Sequence, residues 1–192
     1  MGWPRLHIVA LALPFALIGC RESRPGPVVT PAQVDRLQAD RPIDPEFVLR
    51  GLLTLKPQLG GSPRILEIRA DGASVSVQLG QAGHVREFIY RETGDQKHPH
   101  QIVGPSESPL VGEGDLDANL FPLADVDIAG IGRQFEMARK AVDPTDGRVT
   151  RLIVRRNLPF GDAVRARIYV DSPRLPGSMD TNATGVPLRR AP

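Results

Sequence analysis

One order of patterning, a helix followed by three strands, occurs twice along the chain and confines it to folds that can join two such units. In the first unit Asp44-Pro45-Glu46 reads as a helix start, with Asp44 as N-cap and Pro45 in the first turn. Phe47, Val48, Leu52 and Leu55 then form an apolar stripe, and Pro57 with Gly60-Gly61 is expected to end the helix. Strand-like runs follow at residues 64–70, 73–79 and 84–91, joined by Asp71-Gly72 and by the turn from Gly80 to Gly83. In the middle run Val75, Val77 and Leu79 alternate with Ser74, Ser76 and Gln78, so one face is apolar and the other wet.

The second unit begins after Asp127, where Ile128, Ile131, Phe135, Ala138 and Val142 recur at helical spacing until Asp143-Pro144. Strands are expected at residues 148–156 and 163–171, with a weaker one at 178–181. Either unit alone would expose the apolar side of its sheet. Side by side, the two form one antiparallel sheet with both helices on one face, so the expectation is an α+β domain over residues 44–188 with halves at about 44–92 and 127–188. Residues 93–126 mix Gly, Pro, Ser and acids and read mainly as an acidic connection, with room for one short strand at Gln101 to Val103. In layout this order resembles tandem α/β-repeat envelope domains of the PepSY and β-lactamase-inhibitor-like type.

Ahead of the domain, Arg5 precedes an apolar run over residues 8–18 that meets Gly19-Cys20, the three-part layout of a secretory signal. The run is shorter than the ~20 residues a spanning helix needs, and Pro14 interrupts it. Leu17-Ile18-Gly19-Cys20 resembles the lipobox of bacterial lipoproteins, in which cleavage between Gly19 and Cys20 leaves a lipidated cysteine as the first mature residue. The resemblance implies a signal peptide at residues 1–19, a palmitate-bearing N-terminus and a membrane-attached, periplasm-facing protein of the cell envelope. Arg21 stands where an Asp would imply inner-membrane retention, so the resemblance further implies the outer membrane. Residues 20–43, with Pro25, Pro27, Pro31 and Pro42, read as a tether.

Cys20 is the only cysteine among 192 residues, which excludes an internal disulfide, a multi-thiolate zinc site and an iron–sulfur cluster. No cofactor is expected beyond the covalent lipid. His98-Pro99-His100 is a weak candidate metal pair, with His84 and the Asp115 and Asp117 carboxylates as possible company; a surface loop pair is the favoured reading. Asp115-Leu-Asp117-Ala-Asn119 opens like a calcium loop, but Leu120 stands where the sharp bend needs Gly and Val126 where a bidentate Glu belongs. No nucleophile elbow, phosphate loop or dinucleotide fingerprint occurs, so the expected role is non-catalytic, with an envelope hydrolase or metal-binding protein using His98 and His100 as the alternative.

Charge supplies the remaining signal. Twenty-four Lys and Arg against 22 Asp and Glu leave +2, too balanced for a dedicated nucleic-acid binder. Residues 93–147 nevertheless hold ten acids and four bases, a balance of −6, whereas residues 148–192 hold nine Arg and three acids, a balance of +6. Strand alternation puts Arg165, Arg167 and Tyr169 on the face opposite Val164, Ala166, Ile168 and Val170, with Arg151 and Arg155 on the neighbouring strand. That face is the candidate binding surface, for an envelope protein or an anionic cell-wall component. The competing expectation is that the acidic connection of the same chain covers these arginines, or that they form a solvated face.

Overall fold

The structure is a computed structural model that describes residues 41–81, 84–107, 115–156 and 161–188. The signal segment, the lipobox with Cys20 and nearly all of the tether lie outside the described residues. Among the described residues no helix is long and apolar enough to cross a membrane.

Helix α1 spans Pro45–Leu59, and Asp44 caps it by accepting the Glu46 N–H at 3.0 Å. Strands β1 (Arg64–Asp71), β2 (Val75–Gln81), β3 (His84–Glu92) and β4 (His100–Glu107) follow. A one-turn helix α2 (Leu116–Asn119), a two-residue strand β5 (Phe121–Pro122) and a 3-10 turn (Leu123–Asp125) lead to helix α3 (Ile131–Val142). Strands β6 (Arg148–Arg156), β7 (Val164–Asp171) and β8 (Gly177–Asn182) complete the order. All pairings are antiparallel, in the order β4-β3-β2-β1-β6-β7-β8, with β5 beside the start of β1.

The chain is therefore α+β, and its two units share one sheet. The seam is the β1–β6 pair, in register from Glu67 opposite Arg155 to Asp71 opposite Arg151. Both long helices lie on the same side. Phe47, Val48, Leu52 and Leu55 of α1 and Ile131, Phe135 and Ala138 of α3 join the inward residues of the strands in one core, among them Ile68, Val75, Val77, Leu152, Val154 and Ile168. Close approach sets the α1 position: a Cβ at Gly51 would stand 2.8 Å from Val75 Cγ2 and 3.0 Å from the Tyr90 ring.

Three expectations need correction. Helix α1 ends ahead of Gly60 as expected but is not stopped by Pro57, which lies inside it. The carbonyl that Pro57 cannot serve is that of Leu53, on the solvent side with 57% exposure, where water can take it. A proline inside a helix costs ~3 kcal/mol, and burying Leu59 in the core returns ~1.5–3 kcal/mol. Helix α3 starts at Ile131 instead of residue 128. Residues 126–130 form a compact turn: the Asp127 N–H donates to the Ala183 carbonyl at 2.9 Å, the Ile128 N–H to Val126 at 2.8 Å, and the Asp127 carboxylate accepts the Gly130 N–H at 2.9 Å.

The third correction concerns residues 93–126, which carry the eight-residue edge strand β4, α2 and β5 as well as connection. Strand β4 is exposed along nearly all its length, so it lacks the alternation that marks the others. Gly104-Pro105 interrupts its ladder beside the Glu87/Ile89 register shift, and a Cβ at Gly104 (φ 118°) would meet the Glu87 carbonyl at 2.4 Å.

Candidate binding face

With both long helices on one side, the outward residues of the strands form a second face that no described helix covers. The registers align them in rows across the sheet. One row reads Asn182, Arg165, Arg155, Glu67, Gln78, Glu87 and Ser106; the next reads Asp180, Arg167, Ile153, Arg69, Ser76, Ile89 and Val103. Beyond them Ser178, Tyr169, Arg151 and Asp71 are opposite one another. All five residues of the candidate surface thus share one face, brought together by the β6–β7 hairpin.

Their environments differ. Arg167 is bound bidentately by Asp180, with Nε at 2.7 Å and Nη2 at 2.9 Å, and the carboxylate pushes the guanidinium pKa up against the opposing effect of burial. Arg151 lies over the Tyr169 ring, 5.7 Å from its centroid. Arg69, not singled out from sequence, holds Glu67 at 2.6 Å. Arg155 is only 3.8 Å from the other oxygen of that carboxylate and remains 64% exposed. Arg165 makes no ion pair among the described residues, and its Nε is shut from solvent without a hydrogen-bond partner. Internal pairing is thus present among the described residues, though not from the source expected. The chain's own Asp180 and Glu67 neutralise part of the arginine cluster, but these acids come from β8 and β1, not from the acidic connection.

Beside Tyr169 an open groove of about 700 Å³ is lined by Thr150, Tyr169, Val170, Asp171, Pro176, Gly177 and Ser178. In the interior, a void of about 10 Å³ between helices and sheet holds no more than a water-sized guest.

The histidines and the aspartates of the alternative cluster are separated. His100 opens β4 opposite Glu92, its ring stacked on Tyr90 at 5.6 Å, and the His98 carbonyl accepts the Thr93 hydroxyl. The Tyr90 hydroxyl donates to Glu92 at 3.3 Å, as do Arg50 Nε at 3.2 Å and Nη2 at 3.0 Å; burial, then the Glu92 charge, pushes the Tyr90 pKa up. Asp117 instead pairs with Arg64 at 3.2 Å, at the start of β1, and Asp115 caps α2 through the Asp117 N–H at 2.9 Å. Strand β3 runs between those two ends of the sheet, roughly 25 Å for its nine residues. Asp115 to Asn119 is a capped helical turn, not a cation loop. Among the described residues no group of three or more His, Cys, Asp or Glu side chains is arranged to hold a metal ion.

A polar cluster that the sequence did not announce lies at the end of α3. Asp143, 4% exposed, accepts from Ser172 Oγ at 2.6 Å, from Arg174, and from the Thr145 and Asp146 N–H groups at 3.0 and 3.1 Å. The Arg174 hydrogen bond, then that of Ser172, holds the Asp143 carboxyl far below the ordinary carboxylate range. Its oxygens are satisfied by the loop they organise, so the cluster is a structural latch. No protein-family model, curated protein or solved structure matches the chain.

Proposed function

We propose that this protein is a lipid-anchored component of the bacterial cell envelope, attached through acylated Cys20 and acting as a non-catalytic binding or scaffold module for a protein or cell-wall partner. The anchor rests on the Leu17-Ile18-Gly19-Cys20 resemblance, and several acyl chains at about 0.8 kcal/mol per buried methylene make such attachment durable. Arg21 supports an outer-membrane, periplasm-facing location.

The observation that carries the binding role is the sheet face left open by the described helices, on which Arg151, Arg155, Arg165, Arg167 and Tyr169 stand together while both long helices cover the opposite side. A face built from strands is rigid, and guanidinium forks interleaved with an aromatic suit recognition of anionic groups. The test is a photo-crosslinking residue placed in cells at Ile153, in the middle of the face, and for comparison at Leu53, on the solvent side of α1. Discrete adducts from Ile153 and not from Leu53 are expected; equal or absent adducts at both positions refute the role. Loss of acyl mass from the mature N-terminus would refute the anchor independently.

A further inference from the structure

On the reading that the open sheet face receives a partner, we infer that Arg155 and Arg165 together form a seat for one carboxylate, presented by an acidic protein surface. The two arginines are directly opposite each other on β6 and β7. Like charges in that position repel, and strand pairing keeps their backbones about 5 Å apart. The neighbouring acids relieve them only in part. Asp180 is taken bidentately by Arg167, and Glu67 is held by Arg69 at 2.6 Å, leaving Arg155 at 3.8 Å, beyond hydrogen-bond reach. Arg165 Nε has its N–H turned away from water with nothing to accept it. An anionic oxygen pair bridging the two guanidinium groups from the solvent side neutralises that repulsion.

The surroundings select the source of the anion. Glu67, Glu87, Asp71 and Asp180 share the face with the arginines, and the row next to the seat carries Ile153, Ile89 and Val103. A lipid surface or phosphate polymer brings negative charge everywhere and meets those four carboxylates. A protein surface can deliver one carboxylate to the seat and apolar or basic groups to the rest, which is the complementarity this mixed face requires.

The test uses the full-length lipidated protein in detergent, labelled with 15N-arginine, and follows the Nε–H signals during titration with an end-capped peptide that carries one glutamate flanked by leucines and lysines. Parallel titrations use sodium chloride at matched ionic strength, inorganic phosphate, and phosphatidylglycerol vesicles. The Arg155 and Arg165 signals are expected to shift saturably with the peptide and not with chloride, and binding by the R155Q/R165Q protein is expected to weaken roughly ten- to hundredfold. An R133Q/K140Q protein, with the same charge removed from α3, should bind as the wild type does. No shift beyond chloride, a stronger response to phosphate or vesicles, or equal weakening in both double variants overturns the seat. The Ile153 crosslink is repeated in the R155Q/R165Q background to separate the two readings. An adduct that persists undiminished refutes the carboxylate seat alone, whereas no adduct even in the wild type refutes the binding face with it.

Discussion

The same substitution, Gly to Ala, is expected to have opposite signs in the two long helices. Gly51 is in the middle of α1, where helix propensity by itself favours Ala by ~1 kcal/mol. The added Cβ, however, would stand 2.8 and 2.9 Å from Val75 Cγ2 and Cβ and 3.0 Å from the Tyr90 ring. Val75 is fully buried and Tyr90 is 3% exposed, so neither can swing aside. Overpacking of this kind costs ~1–3 kcal/mol, and three contacts against immobile neighbours put Gly51 towards the upper end. The net expectation for Gly51→Ala is a loss of about 1–2 kcal/mol. Gly132, in the first turn of α3, meets only Pro45 at 3.8 and 3.9 Å, ordinary contact. There the reduced freedom of the unfolded chain dominates, and Gly132→Ala should gain ~0.4–1 kcal/mol. For a domain of this size the two proteins should melt several degrees apart, on either side of wild type. Urea unfolding followed by far-UV circular dichroism measures both at 25 °C. A Gly51→Ala protein as stable as wild type, or both variants shifting in one direction, would show that helix–sheet spacing is not set by that glycine.

Other expectations follow from the buried polar groups and the N-terminus. Thr181 donates to Gln134 Oε1 at 3.1 Å with both residues buried, so Thr181→Val should orphan that oxygen and cost ~1–3 kcal/mol in the same unfolding measurement. Asp143 has a folded pKa held below its unfolded value by Arg174 and Ser172, so its contribution is present in full above the unfolded value of about 4 and fades as pH falls further. The gap in urea midpoint between wild type and Asp143→Asn should accordingly be constant from pH 5 to 7 and narrow below pH 4; a gap that widens on acidification contradicts the latch. Cys20→Ser should leave the protein unacylated, read as loss of the acyl mass from the N-terminus and release from washed membranes.

Much of the architecture is legible because the strands alternate. Val75, Val77 and Leu79 point inward as their spacing requires, and so do Val164, Ala166, Ile168 and Val170, which fixes Arg165, Arg167 and Tyr169 on the other side. Strand β4 escaped that logic because an exposed edge strand has no buried face to pattern, and only Ile102 on it is even half-buried beside the core. The true start of α3 was masked by Ile128, an apolar residue in helical phase whose backbone is committed to a turn docked on Ala183. The partners of the arginines were illegible for a different reason. Glu67 faces Arg155 across the β1–β6 seam and Asp180 faces Arg167 through the β8 register, and a single sequence does not state either. Asp143 looked like an ordinary helix stop, since its ligands Ser172 and Arg174 are some thirty residues away in sequence.

The seam between β1 and β6 also orders how the chain can assemble. Within each unit the strands meet through neighbouring hairpins, contacts that need only short loops to close. Zipping Glu67 to Arg155 instead closes a loop of about 90 residues, an entropic toll that is worth meeting only once both partners already exist as templates. Contact order accordingly predicts that the two units nucleate locally and pair edge to edge last, an order that pulsed hydrogen exchange during refolding would check. Until they do, two unsatisfied strand borders face outward, and those borders are the places where a newly made chain is most exposed to pairing with another.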